Sequence, residues 1–207
     1  MRQAQEGIAR PGRGWIALAA LALSVCLAAC GGGQESGASS NSSEQTAAEE
    51  DGSSAGAIAP LRVRGGGSAQ FEVKGGDNSV QEYGSEAGKA ELRDAAEAVH
   101  GFLAARVSGE WAHACALLTQ GQIDTLAKQA GRAEACPATL AAITKPVSSS
   151  LARAITTVDV VSLRADGDRA FLIYVGLPER TVYAMPLVRE SDTWKLGAIS
   201  SSVLPGT

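Results

Sequence analysis

The 207-residue chain is short of aromatics, at 4%, and holds two histidines and four cysteines. Four cysteines with no C-x-x-C pair make neither a metal ribbon nor a disulfide scaffold. His100 and His113 have no partner at metal-ligand spacing, since neither H-x-x-E nor H-x₃-H occurs, so no metal site is expected and both read as solvated surface residues. Basic residues do not outnumber acidic ones, and a net charge of −4 excludes the broad basic face of a nucleic-acid binder. G-x-S-x-G, S-x-x-K, dinucleotide and phosphate-loop patterns are missing, so no cofactor is expected. The apolar run Trp15 to Leu27 falls short of the roughly 20 residues of a membrane-spanning helix.

That run instead suits the core of a targeting signal, with Arg2, Arg10 and Arg13 ahead of it as the positive region. It ends in Leu27-Ala28-Ala29-Cys30, which resembles the lipobox of bacterial lipoproteins. The resemblance implies that Cys30 receives a diacylglycerol thioether, becomes the first mature residue and is acylated, typically with palmitate, on its amine. Cys26 is a poor competitor, because the bulky, β-branched Val25 precedes it. The alternative is an ordinary secretory signal cut at Ala-x-Ala. Two or three acyl chains give a stable anchor where one is marginal, at roughly 0.8 kcal/mol per buried CH₂. Without residues 1–29 the chain loses three arginines and one glutamate and becomes more acidic, so lipid rather than surface charge must hold it to an anionic membrane. The expected location is the extracytoplasmic side of a bacterial cell membrane or outer envelope.

Four segments follow: a signal peptide over 1–29, a lipidated tether over 30–57, a β-hairpin extension over 58–86 and an α+β domain over 87–207. Gly31 to Ala57 holds Gly31-Gly32-Gly33, many serines and the acids Glu35, Glu44, Glu49, Glu50 and Asp51, with no large apolar side chain. Such a stretch cannot offset its conformational entropy by burial and is expected to be disordered. Leu61–Arg64 and Ala69–Val73 alternate around Gly65-Gly66-Gly67-Ser68 as strand, turn and strand. Two strands alone do not hold, so this hairpin is expected to dock, either at a free sheet edge or over the mouth of the sheet.

Leu92, Ala96, Val99, Leu103 and Val107 recur at helical spacing and predict a helix over about 87–107, broken at Ser108-Gly109. Shorter helices are expected over about 110–118, around Ile123 to Ala130, and from Cys136-Pro137, where proline suits a first turn. After Lys145-Pro146 and a serine loop the period becomes two. Ile155 to Leu163, Phe171 to Val175, Tyr183 to Leu187 and Trp194 to Ala198 read as four strands, with turns at Asp166-Gly167, Pro178-Glu179 and Ser191-Asp192. Pro186 marks a bulge or an edge. The fold class is therefore α+β: three or four short helices, then a four-stranded antiparallel meander, with the extra hairpin in front. In an oxidising compartment Cys115 and Cys136 read as a disulfide, worth roughly 3 kcal/mol.

The long first helix, the Ser108-Gly109-Glu110-Trp111 break into Ala114-Cys115-Ala116-Leu117-Leu118, and the meander ending Trp194-Lys195-Leu196 resemble the NTF2-like superfamily of cone-shaped α+β domains. The resemblance covers about 87–199 and rests on architecture, without a diagnostic motif. It implies a concave sheet, and in the enzymes of that superfamily an Asp, His or Tyr at its mouth as acid or base. The pocket-lining candidates are Asp159, Tyr174, Tyr183 and Trp194. Asp159 shares a strand face with Val161 and Leu163, and a carboxylate desolvated among aliphatics suits proton abstraction. The opposite set, Val158 and Val160, is equally apolar, so either set can face the core. Three functions are open: a tethered non-catalytic domain binding a small apolar ligand or an envelope protein, an isomerase or dehydratase using Asp159, and a structural or assembly lipoprotein.

Overall fold

A computed structural model describes residues 58–130, 135–177 and 181–205, all within one compact unit, Glu49–Thr207. The targeting segment, Cys30, the tether and the expected turn at Pro178-Glu179 lie outside the described residues. Among these residues no helix is long and apolar enough to cross a membrane.

In chain order the elements are β1 (Arg62–Val63), β2 (Ser85–Glu86), α1 (Lys89–Ser108), α2 (Trp111–Ala116), α3 (Gln120–Gln129), α4 (Cys136–Ile143), α5 (Ser149–Thr156), β3 (Asp159–Asp166), β4 (Arg169–Val175), β5 (Val182–Glu190), β6 (Thr193–Leu196) and β7 (Ser202–Val203). The α+β class holds, with a curled sheet forming a broadly cone-like half-barrel.

Helix α1 follows its apolar period, burying Leu92, Ala95, Ala96, Val99, Phe102 and Leu103. It stops where expected. Gly109 takes a left-handed φ of 74°, and its N–H and that of Glu110 both reach the Ala105 carbonyl. Thr119 caps α3 by accepting the Gln122 N–H at 3.1 Å, and Pro137 sits in the first turn of α4.

Helix α5 replaces the expected serine loop and the start of the first meander strand. The serines are a helix start: Ser148 Oγ accepts the Leu151 N–H at 3.3 Å. Ile155 therefore lies on a helix, and the strand begins only at Asp159.

The sheet is not a four-stranded antiparallel meander. Among the described residues it is mixed and seven-stranded, with the path β1-β3-β4-β5-β6, β2 also on β3 and β7 also on β5. Strands β3 to β6 run antiparallel in chain order, but β1 lies parallel to β3 through Arg62–Asp159 and Val63–Val160. The expected hairpin over 58–86 is likewise corrected. Gly65, Gly66 and Gly67 all have positive φ and carry the chain away from its own strand, and Ser68–Phe71 is a 3₁₀ turn. The segment docks at the free edge of β3, with β1 on one half and β2 antiparallel on the other.

Val161 is a bulge in β3, because Val160 pairs with Tyr174 and Ser162 with Ile173. One extra residue swaps the faces of everything beyond it. Val158, Val160 and Leu163 therefore share the core under α1, although simple alternation separates them. Pro186 falls where β5 changes partner from β6 to β7. Its carbonyl accepts from Gly197 N–H on that side, so the missing proline N–H breaks no bond to β4.

Two cores result. Under the helices lie Phe102, Leu126, Leu140, Leu172, Met185, Leu187, Trp194 and Leu196. On the other face Ile173, Val182, Ala184 and Leu204 pack with Phe71, Val80 and Phe171.

Candidate functional site

At one end of the helix-covered face the side chains leave a cavity of about 660 Å³. Five pieces of chain wall it: the end of α1 with Gly109 and Trp111, the end of α4 through Val147, α5, the β4–β5 turn region, and Ile199–Ser201. The volume lies within the range of small-molecule sites, and the walls are mostly aliphatic and aromatic. Ile155 and Leu177 line it while remaining exposed, and so form an apolar rim.

Tyr174 and Tyr183 both line the cavity, facing each other across β4 and β5 with rings stacked at 5.4 Å. Gly176 makes room for that stack, since a Cβ there would meet Cε2 of Tyr183 at 2.8 Å. Tyr174 Oη and Ser201 Oγ are 2.6 Å apart. Burial pushes the Tyr174 phenol up to about 12, more than the Ser201 hydrogen bond lowers it, with the Tyr183 charge adding a further upward push. Tyr174 therefore stays protonated near neutral pH, fit to hydrogen-bond but not to act as a base.

Arg106 enters from α1, where burial holds its guanidinium below the usual arginine range. It lies 5.4 Å from the Phe102 ring centre, and its Nη1 donates to the Ile199 carbonyl at 2.7 Å. Its Nε and the Thr144 hydroxyl, also in the wall, are buried with no hydrogen-bond partner among the described residues. Lys145 is the second cation in the lining, and among the described lining residues there is no acid.

The other two sequence candidates lie elsewhere. Asp159 does not line the cavity. It precedes the bulge, on the face opposite Val158 and Val160, and its Oδ2 accepts from Arg64 Nη2 at 2.6 Å. Trp194 is buried in the helix-side core with Arg189 stacked 4.4 Å over its ring. His100 is not a solvated surface residue: half-buried, its Nε2 lies 2.7 Å from the Ala59 carbonyl. No group of acids, histidines and cysteines that could hold a metal occurs among the described residues.

Cys115 and Cys136 are at bonding distance, with Cα atoms 6.0 Å apart. The bridge joins α2 to α4, so it fixes the spacing of Trp111 against Ala141 and Thr144 in the cavity wall.

Sequence reading missed Arg106, Lys145, Trp111 and Ser201 as wall residues. Arg106 had a signal. The stripe Leu92, Ala96, Val99, Leu103 continues to position 106 as readily as to Val107, so a cation stands where the helix expects an apolar side chain. Lys145 and Ser201 lie outside regular elements, and no periodicity marks them. Comparison of the chain with protein-family models, curated proteins and solved structures finds no match.

Proposed function

We propose that this chain is a lipid-anchored extracytoplasmic bacterial protein, tethered through Cys30, whose NTF2-like domain binds a small, largely apolar molecule without transforming it. The observation that carries the binding half is the cavity of about 660 Å³, with its apolar walls and exposed apolar rim. The long α1 laid across a curled sheet supports the NTF2-like assignment. The anchor rests on the lipobox alone.

The enzyme alternative draws no support from Asp159. Asp159 is tied to Arg64 outside the cavity, and the titratable groups in the described wall are arginine, lysine and two tyrosines. Proton abstraction needs a positioned acceptor, and the described wall holds no carboxylate or imidazole to serve as one. Docking of 58–86 at the sheet edge leaves the cavity without a cover from that segment, since no residue of it lines the wall.

Two measurements test the halves separately. Metabolic labelling with an alkyne palmitate should mark the chain and fail on Cys30→Ala; a mature terminus beyond residue 30 with no lipid refutes the anchor. For binding, titration with the neutral dye N-phenyl-naphthylamine should saturate at one molecule per chain. Ala154→Phe, which fills the cavity from α5, should weaken it at least about tenfold, the loss of roughly 1.4 kcal/mol. Unsaturable or unaltered dye uptake refutes the ligand reading and leaves an envelope protein as the partner.

A further inference from the structure

Resting on the ligand-binding reading, the charge in the cavity wall points to one class of ligand. We infer that the site takes an organic acid, an apolar body ending in a single anionic oxygen group, with the anion drawn to Arg106 and Lys145.

The described lining is electrically one-sided, with two cations and no carboxylate. Of the two, Arg106 is the half-buried one, and among the described residues it has no carboxylate partner: it rests on a neutral carbonyl and an aromatic face. A cation withdrawn from water without a counter-ion costs free energy that an incoming anion offsets. The same desolvation lowers the basicity of Arg106. Lys145 is exposed at the rim, placed to draw an anion in rather than to hold it. The hydroxyl pair Tyr174–Ser201 adds a neutral donor, because one hydrogen is shared between the two and the other has at most the Met185 sulfur, 3.9 Å from Ser201 Oγ, a weak acceptor that an anionic oxygen displaces. Trp111 and the tyrosine stack supply flat walls for the apolar body. A cationic amphiphile of the same size would meet like charge from both basic side chains, so the site discriminates by sign.

Two dyes that differ mainly in one sulfonate, anilinonaphthalene sulfonate and N-phenyl-naphthylamine, test this on the full chain, with the same membrane mimetic lacking protein as blank. The anionic dye should bind at least about tenfold tighter than the neutral one, as expected when a charged hydrogen bond is gained. Arg106→Met should erase most of that ratio. Lys145→Gln, at an exposed position that does not threaten folding, should slow association of the anionic dye and lessen its salt dependence. Equal affinity for the two dyes in the wild type, or a ratio unmoved by Arg106→Met and Lys145→Gln alike, overturns the organic-acid inference and leaves an apolar binding site. Failure of both dyes to saturate overturns that inference together with the ligand-binding reading on which it rests.

Discussion

The two faces of the sheet are covered by different means. On one face regular helices lay down a continuous apolar layer in which Phe102, Leu126, Leu140, Leu172 and Met185 are fully buried. On the other, residues 64–84 form almost no regular structure: Phe71, Val80 and Tyr83 give a small apolar contact, and individual polar ties set the course of the loop. Ser68 Oγ donates to the Gln81 carbonyl, Gln81 Nε2 to the Phe71 carbonyl, Asn78 exchanges two bonds with the Val73 backbone, and Arg164 donates to the carbonyls of Tyr83 and Gly84. Apolar burial is non-directional and tolerates an imperfect fit, so the helical face can leave a cavity at its end and remain a core. A loop held by directed bonds has less slack, because its geometry is fixed bond by bond and losing a partner at the buried Ser68 or Gln81 strands a polar group. The face that can hold a ligand is thus the one secured by area.

If that contrast is right, the largest effect belongs to the loop-covered face. At Gly84, with φ 46°, an added Cβ would lie 2.1 Å from the Ala165 carbonyl oxygen, which is backbone of β3 and cannot swing aside. Gly84→Ala should cost about 2–4 kcal/mol in chemical denaturation, through left-handed strain and forced separation of β2 from β3. Protease should then cut within 64–86 before the helices open. A loss below about 0.5 kcal/mol would show that this face has slack after all.

On the helical face the corresponding test is alkaline. Tyr174 titrates near 10 when unfolded and about 12 when folded. The unfolded chain therefore gives up this proton first, and stability that is fully present below about pH 10 is lost as pH rises towards 12. The difference amounts to roughly 2–3 kcal/mol across that window. Tyr174→Phe should remove this component, so the gap between wild type and variant should narrow or reverse between about pH 10 and 12. Parallel curves over that window would mean that Tyr174 is in contact with water.

The same division decides what could be read from residues. Helices α1, α3 and α4 and strands β4 to β6 announce themselves because area-driven packing leaves a period: 3.6 in Leu92-Ala96-Val99-Leu103, two in Phe171-Ile173-Val175. Gly109 and the cysteine pair are legible because each has one dominant physical use. Helix α5 is hidden, since Ser148-Ser149-Ser150 serves equally as loop or cap and eight residues are too few to establish a period. The bulge at Val161 is invisible for a different reason. Both faces of β3 are buried at its start, and neither polar residue between Val158 and Leu163 fixes its register: Ser162 is itself fully buried, and Asp159 is tied to an arginine 95 positions earlier. Its partner is set by tertiary structure, and the same holds for the convergence of Arg106, Lys145 and Ser201 on one cavity.

The smallest effect expected is at that aspartate, and it sharpens the contrast by dissecting one polar tie. Asp159 is nearly buried, its Oδ1 has no hydrogen-bond partner among the described residues, and Oδ2 relies on Arg64, which is itself half-exposed. Solvent at the arginine screens the pair, so its net worth is far below that of a fully buried one. Arg64→Met should nevertheless cost about 1–2 kcal/mol, because it leaves a desolvated carboxylate with neither oxygen bonded. Asp159→Asn should cost less, since an amide oxygen still accepts from Arg64 and no charge is left buried. The double variant should recover part of the first loss, giving a coupling of about 0.5–1 kcal/mol in a double-mutant cycle. Ligand binding should be unchanged in all three, since neither residue lines the cavity. Additive losses would mean that the two side chains act independently in solution. A change in dye affinity with Asp159→Asn would connect the two faces of the sheet, and the division drawn between them would have to be abandoned.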